Sequence, residues 1–111
     1  MYNYKAYLKD ILECINRIEE YTKSMDYNEF VSFRMAHDAV IRNLEVIGEA
    51  VKNLPVDIKN KKPNIEWRKI AGFRDVLIHD YANIDLEIVW DVVQNNLPEL
   101  KQTVNELFEE K

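Results

Sequence analysis

Glycine and proline are scarce in this chain, with two and three copies among 111 residues. An all-β fold needs many tight turns, which these two residue types favour, so their scarcity argues against such a fold. Leu, Ile, Glu and Lys are abundant instead, and charged residues make up 32% of the chain. This composition is typical of amphipathic helices, and the length suits one domain. We therefore predict a single all-α domain over residues 1–111, a bundle of four or five helices.

Cysteine occurs once, as Cys14, which excludes an internal disulfide and a cysteine-based metal cluster. No apolar run reaches the roughly 20 residues that a membrane-spanning helix needs. The N-terminal sequence MYNYKAYLKD lacks the apolar core and the cleavage site of a signal peptide. These absences favour a protein of the reducing cytoplasm without membrane association. The acidic residues have no recognised metal-ligand spacing, so we predict no metal and no other cofactor.

The net charge of −5 argues against a protein that coats nucleic acid through bulk electrostatics. The charge is unevenly distributed, however. Six basic residues against one acid, Glu66, lie in residues 59–74: Lys59, Lys61, Lys62, Arg68, Lys69 and Arg74. Seven acids and two lysines lie between Ala82 and the C-terminus. The basic segment could hold a phosphate chain, with Arg68 and Lys69 as candidate RNA-binding residues, or both segments could be ordinary solvated faces.

Periodicity predicts two helices in the first half of the chain. Apolar residues recur at helical spacing over residues 4–22. A second, longer helix should end before Pro55, with an apolar stripe that begins at Phe33 and includes His37. Gly48 inside this helix costs about 1 kcal/mol relative to alanine, so its expected use is to let a neighbouring helix approach closely. The candidate N-caps of this helix are Ser24, Asp26 and Asn28.

In the second half of the chain, the sequence pattern predicts an irregular connection followed by two helices. Residues 55–66 form the connection, with at most one short helical turn. Residues 67–81, WRKIAGFRDVLIHDY, predict a third major helix, and the loop ANID that follows offers Asp85 as the cap of the last helix. Pro98 lies inside that helix, so we expect a kink or break near residues 95–97.

The residues that could carry chemistry are Arg74, His79 and Tyr81, a cation, an imidazole and a phenol within eight positions. A guanidinium suits a phosphate, or the charge that develops on it during transfer. An imidazole gives or takes a proton near neutral pH. Together they suffice for metal-free RNA cleavage, in which the 2′-OH attacks the adjacent phosphate. The pattern alone is weak, because an Arg and a His at this spacing occur by chance in many helices.

Helix geometry restricts how these side chains could meet. At about 100° per residue, Asp75 shares a face with His79, whereas Arg74 lies roughly 140° from His79. Either the helix loosens by His79, or two copies of the chain meet across a twofold axis and pool their residues. The dimer is our preferred hypothesis. In it Asp75 would orient His79 through a hydrogen bond.

Two segments, RNLEVIGEAVKNLP and WRKIAGFRDVLIHDYANIDLEIVWDVVQNNLPELK, resemble the HepT-like toxins of the HEPN superfamily. The family motif is R-x4-H-x-Y, which Arg74, His79 and Tyr81 match, and Asp75 matches the polar residue that commonly follows the arginine. The resemblance covers roughly residues 39–101. It implies a homodimeric HEPN-type helical bundle. It also implies that this dimer is a metal-independent endoribonuclease with Arg74 and His79 at the subunit interface.

The resemblance also implies a partner, a nucleotidyltransferase antitoxin of the MntA type that transfers AMP from ATP to Tyr81. Because residues seven apart lie on one helix face, the added phosphate would lie beside Arg74 and exclude RNA. One alternative is a non-catalytic HEPN scaffold that binds a nucleotidyltransferase or a nucleotide. Another is a helical dimer in which Arg74 and Asp75 merely pair across the twofold axis.

The roles of several residues outside the motif can be interpreted in two ways. His37 is more simply a core or interface histidine than a catalytic group, and Trp67 and Trp90 are more simply core residues than base-stacking ones. A polar set on the second helix either supports the site or forms ordinary solvated pairs: Arg42, Asn43, Glu45 and Glu49.

Overall fold

The computed structural model describes residues 3–110, which are helical over most of their length. The α-helices are α1 (Tyr4–Thr22), α2 (Tyr27–Ser32), α3 (Arg34–Asn53), α4 (Val56–Asn60), α5 (Trp67–His79), α6 (Leu86–Asp91) and α7 (Leu97–Glu109). A 3₁₀ turn, Tyr81–Asn83, follows α5, and a π-helical segment, Val92–Asn96, joins α6 to α7. No strand occurs in this part of the chain. The predicted all-α bundle is confirmed, although residues 1, 2 and 111 of the predicted domain lie outside the described residues.

The centre of the bundle is α3, which packs against α1 and against α5, while α7 packs against α1. The apolar stripe of α1 is fully buried at Leu8, Ile11, Ile15 and Ile18. Full burial of such a side chain contributes about 1.5–3 kcal/mol, so periodic apolar residues favour the helix that buries them together. Because α3 packs directly against α5, the polar residues of α3 form part of the surroundings of the α5 side chains.

The predicted course of the second helix is wrong near its start, because the helix is interrupted at Phe33. Asp26 is the N-cap of α2, in a capping box with Glu29. The chain leaves helical geometry at Phe33, whose side chain is 49% exposed instead of lying in the apolar stripe. The break has a packing reason. It lets Phe30 become fully buried, with its ring centroid 5.0 Å from that of Trp90.

The third predicted helix also differs, because α5 ends at His79 and not at Tyr81. Asp80 has φ −129° and ψ 37°, and Tyr81 begins the 3₁₀ turn. The predicted short turn in residues 55–66 is confirmed by α4, and Asp85 is the predicted cap of α6, accepting from the Glu87 amide at 2.9 Å.

The irregularity predicted before Pro98 is confirmed, and it is a π-helical turn rather than a break. Proline donates no backbone hydrogen bond, and its ring crowds the carbonyl four residues earlier. A wider π turn relieves this crowding without ending the helix. None of the helices formed by residues 3–110 is long and apolar enough to cross a membrane.

Candidate active site

Arg74 lies where α5 crosses closest to α3, against Gly48. A Cβ placed on Gly48 would lie 2.5 Å from the Cβ of Arg74 and 3.3 Å from the carbonyl oxygen of Ile70. Real Cβ atoms do not approach other atoms so closely, so only glycine fits. The predicted use of Gly48, a close approach by a neighbouring helix, is thereby confirmed. The helix that approaches is the one that carries Arg74.

A carboxylate of α3 holds the guanidinium of Arg74. Its Nε lies 3.0 Å from Glu49 Oε2, and the Arg74 side chain is 26% exposed. A second carboxylate, Asp75 Oδ1, lies 3.6 Å from an Arg74 terminal nitrogen. Of the polar set on α3, Glu49 therefore supports Arg74, whereas Arg42 and Glu45 pair with each other at 3.4 Å. The orientation of Arg74 is built into one chain.

Arg74 lines a cavity of about 310 Å³ between α1, α3 and α5. The polar residues around it are Tyr7, Asp10, Arg42, Glu45, Glu49, Asn53 and Arg74. A phosphate there would meet two guanidinium groups, but it would also meet carboxylates from α1 and α3. The electrostatics of this cavity are therefore mixed, and Arg74 must exchange part of its ion pair for a phosphate oxygen to bind one.

His79 is not among the residues that line this cavity; it is the last residue of α5, and it is exposed. No hydrogen bond or ion pair joins it to any other residue between 3 and 110. Asp75, expected to orient it, contacts Arg74 instead. Because α5 is helical from Arg74 to His79, these two side chains lie about 140° apart around it, and the hydrogen bond from Asp75 to His79 stays a prediction about the dimer.

Tyr81 reaches back to α3, where its hydroxyl donates a hydrogen bond to Asp38 Oδ1. This hydrogen bond, with smaller contributions from burial and from the Asp38 charge, raises the pKa of Tyr81 above its ordinary value. Asp38 and Glu49 are eleven positions apart on α3, about 16 Å of helix. Because α5 ends before Tyr81, the expectation that Arg74 and Tyr81 share one helix face is wrong, and the placement of a phosphate on Tyr81 beside Arg74 stays a prediction.

Asp38 is the site residue that sequence reasoning missed. It lies 43 positions before Tyr81, and no local spacing points to it. Its other oxygen lies 3.6 Å from Arg34 Nε, and His37 Nδ1 lies 3.6 Å from Oδ1. His37 itself packs edge-on against Phe30, in agreement with its interpretation as a core residue, but its buried Nδ1 has no hydrogen-bond partner in the part of the chain that the structure describes.

The two tryptophans belong to the core, as predicted. Trp67 is buried, and its indole Nε1 donates to the carbonyl oxygens of Lys59 at 3.1 Å and Lys62 at 3.0 Å. Trp90 is half-buried, with its ring against those of Phe30 and Tyr27.

Much of the basic segment is paired with acids rather than open to a nucleic acid. Lys62 lies 2.8 Å from Glu106 of α7, and Lys61 lies 3.1 Å from Glu110, which follows α7, so these two acids neutralise part of the basic segment. The hydrogen bond from Lys62 lowers the pKa of Glu106. Lys69 pairs with Glu66 at 2.8 Å on an exposed surface, where such pairs are weak. Arg68 is exposed, and together with Lys69 it stays a predicted RNA contact.

Comparison with known proteins places the chain among ribonucleases. Residues 11–107 match the family described as Ribonuclease HepT-like. The "Probable ribonuclease HepT" of Thermococcus cleftensis is 44% identical over 99 residues, which cover 89% of this chain and 90% of that protein. The "Putative RNase MJ1380" of Methanocaldococcus jannaschii is 45% identical over 100 residues, 90% of this chain and 92% of that protein.

A longer relative from the same archaeon is the "Gamma-glutamylcyclotransferase and putative RNase MJ0434". It is 44% identical over 106 residues, which are 96% of this chain but only 48% of that protein. The chain thus spans about half the length of this relative. No solved structure matches the chain.

Proposed function

Since the chain belongs to the ribonuclease HepT-like family, we propose that it is a metal-independent endoribonuclease, the toxin of a toxin–antitoxin pair. Arg74 stabilises the charge on the scissile phosphate, and His79 moves the proton. The observation that carries this proposal is the fixed placement of Arg74, held against Gly48 by packing and against Glu49 by an ion pair, on the wall of a cavity.

The reaction follows from these two groups. The RNA 2′-oxygen attacks the adjacent phosphorus, and the bond to the 5′-oxygen breaks. The proton leaves the 2′-hydroxyl, passes through an imidazole and joins the departing 5′-oxygen. Meanwhile the guanidinium donates hydrogen bonds to the phosphate oxygens, on which negative charge grows. Every group required is an organic side chain of this sequence, so the proposed step needs no metal ion.

A second copy of the chain would complete the site, because Arg74 and His79 lie about 140° apart around α5. Two apolar side chains near the end of α5 support this, since Val76 is 50% exposed and Ile78 is 39% exposed. Exposed apolar side chains are common at protein–protein contacts. A twofold axis near α5 would place His79 of one subunit close to Arg74 of the other.

Substitution tests the roles of the two residues. Arg74→Ala and His79→Ala should each lower RNA cleavage by about 10²–10⁴, the usual loss for a group that acts on the reacting atoms. Arg17→Ala, on the exposed side of α1, is the matched control and should cleave at the wild-type rate. Circular dichroism and gel filtration verify the fold and the dimer. Undiminished cleavage by both variants would contradict the proposal. A protein that binds a nucleotidyltransferase but never cleaves RNA would support the scaffold alternative.

Mixing the two inactive variants tests whether the site is shared. If each site takes Arg74 from one subunit and His79 from the other, a mixed dimer has one intact site. Random exchange should then restore about a quarter of the wild-type rate, because half of the dimers are mixed. If both residues act within one chain, the mixture stays inactive, and the shared site is disproved while the ribonuclease remains.

Control by an antitoxin is the second part of the proposal. A nucleotidyltransferase of the MntA type would use Tyr81 as the acceptor of AMP. The Tyr81 phenol oxygen attacks the α-phosphorus of ATP, pyrophosphate leaves, and the phenol proton passes to Asp38 or to water. Intact mass measured after incubation with such an enzyme and ATP should show added AMP on the wild type. Tyr81→Phe should gain none, whereas Tyr21→Phe, another exposed tyrosine, should gain as much as the wild type.

A further inference from the structure

The segment that carries His79 is almost unattached to the rest of the molecule. All residues from Ile78 to Asn83 are exposed, between the fully buried Leu77 and the half-buried Ile84. The backbone hydrogen bonds of this segment are local, such as the Asn83 amide to the Asp80 oxygen at 3.0 Å. Such a segment is expected to have low local stability. Its position must therefore depend on whatever attaches it to the helices beside it.

One hydrogen bond provides that attachment within residues 3–110, the bond from the Tyr81 hydroxyl to Asp38. Asp38 is itself restrained, because it lies on the central helix α3 and its other oxygen faces Arg34 at 3.6 Å. A hydrogen bond to a charged acceptor is stronger than one between neutral groups. Tyr81 is two residues from His79, so a fixed phenol also limits where the end of α5 can move.

We propose that the Tyr81–Asp38 hydrogen bond is a latch that positions His79, and that esterification of the Tyr81 oxygen opens this latch. The proposal rests on the ribonuclease function proposed above. An esterified Tyr81 oxygen has no hydrogen to donate, so the bond to Asp38 is lost. The phosphate would also place negative charge against the Asp38 carboxylate, and like charges repel. Attachment of AMP would then inactivate the enzyme by releasing His79, in addition to any blocking of the RNA.

Three single variants and one double variant separate the latch from other roles of these residues. Tyr81→Phe and Asp38→Ala each remove the hydrogen bond without adding bulk, and each should lower kcat by about five- to tenfold. KM should stay near its wild-type value, because Arg74 is untouched. Asp38→Asn keeps an acceptor oxygen and should recover most of kcat. The double variant Tyr81→Phe with Asp38→Ala should be no worse than either single variant, because both remove one interaction.

Tyr21→Phe is the matched control, since that phenol forms no hydrogen bond in the described part of the chain, and it should leave kcat unchanged. A wild-type kcat in both Tyr81→Phe and Asp38→Ala would overturn the latch proposal but would not contradict the proposed ribonuclease activity. It would mean that AMP acts by bulk and charge alone.

Hydrogen exchange gives a readout that does not depend on RNA cleavage. The amides of Asp80, Asn83 and Ile84 should exchange about five- to tenfold faster in Tyr81→Phe and in Asp38→Ala than in the wild type. Amides of α1 should exchange at wild-type rates, which shows that the fold is intact. If the wild type cleaves no RNA, the proposed function is disproved. The hydrogen-exchange rates of these amides still show whether the Tyr81–Asp38 hydrogen bond restrains this segment. Unchanged exchange at all three amides would disprove it.

Discussion

The two ends of the α5 contact with α3 are built differently. At the Arg74 end the helices touch so closely that Gly48 has no room for a Cβ, and Glu49 holds the guanidinium at 3.0 Å. At the Tyr81 end the residues from Ile78 to Asn83 are exposed, and one hydrogen bond to Asp38 attaches them to α3. The group that would bind phosphate is fixed by packing, whereas the group that would move a proton lies on a loosely attached helix end.

The two ends of the contact therefore suit different tasks in the proposed reaction. A guanidinium that must meet a phosphate gains from a rigid position, because preorganised charge needs no rearrangement during the reaction. A helix end with few contacts is adjustable, so the proposed partner subunit or covalent modification would change the position of His79 at little energetic cost. The predictions below test this contrast, beginning with the largest expected effect.

Substitution of Gly48 should give the largest loss of stability. Gly48→Ala should lower the free energy of unfolding by about 1–3 kcal/mol, since overpacking against Arg74 outweighs the better helix propensity of alanine. Gly72→Ala is the control, because no neighbouring atom of the described residues lies within 4 Å of a Cβ at that position. It should raise the free energy of unfolding by about 0.5–1 kcal/mol. Urea unfolding measures both, and equal stability of the two variants would disprove the close contact.

Removal of the two site residues should affect stability unequally. Arg74→Ala should lower the free energy of unfolding by about 1 kcal/mol, because the packed stem and the ion pair with Glu49 are lost. His79→Ala should change it by less than about 0.5 kcal/mol, since the side chain is exposed and has no polar partner among residues 3–110. Thermal unfolding of both proteins at one concentration gives the comparison. A larger loss in His79→Ala would show that the Tyr81 end is the more rigid one.

Ionisation of Tyr81 should produce the smallest effect, at high pH. Its hydrogen bond to Asp38 raises its pKa above the ordinary value of 10.0. A raised pKa in the folded state means that the contribution of this bond to stability is fully present below about pH 10, and is lost as the pH rises through the folded-state pKa. Asp38→Asn should lower the Tyr81 pKa toward its ordinary value. Absorbance titration of tyrosinate, with Tyr81→Phe as the blank, measures this; an unchanged titration in Asp38→Asn would contradict the assignment.

Local signals predicted most of the helices. The apolar period over residues 4–22 gave α1, Asp85 gave the start of α6, and Pro98 gave the irregularity before α7. Each of these depends on residues within about one turn of one another, which a sequence shows directly. The break at Phe33 was not predictable in this way, because it depends on the burial of Phe30 against Trp90, a residue far along the chain.

The sequence by itself determined the all-α class, the family motif and the candidates Arg74, His79 and Tyr81, since these follow from composition, periodicity and residue type. Only the tertiary structure decided that α5 ends at His79, that Glu49 holds Arg74 and that Tyr81 rests on Asp38. The physical reason is distance along the chain. The ion pair and the hydrogen bond join residues 25 and 43 positions apart, and they exist because Gly48 lets α3 and α5 pack closely enough for their polar side chains to meet.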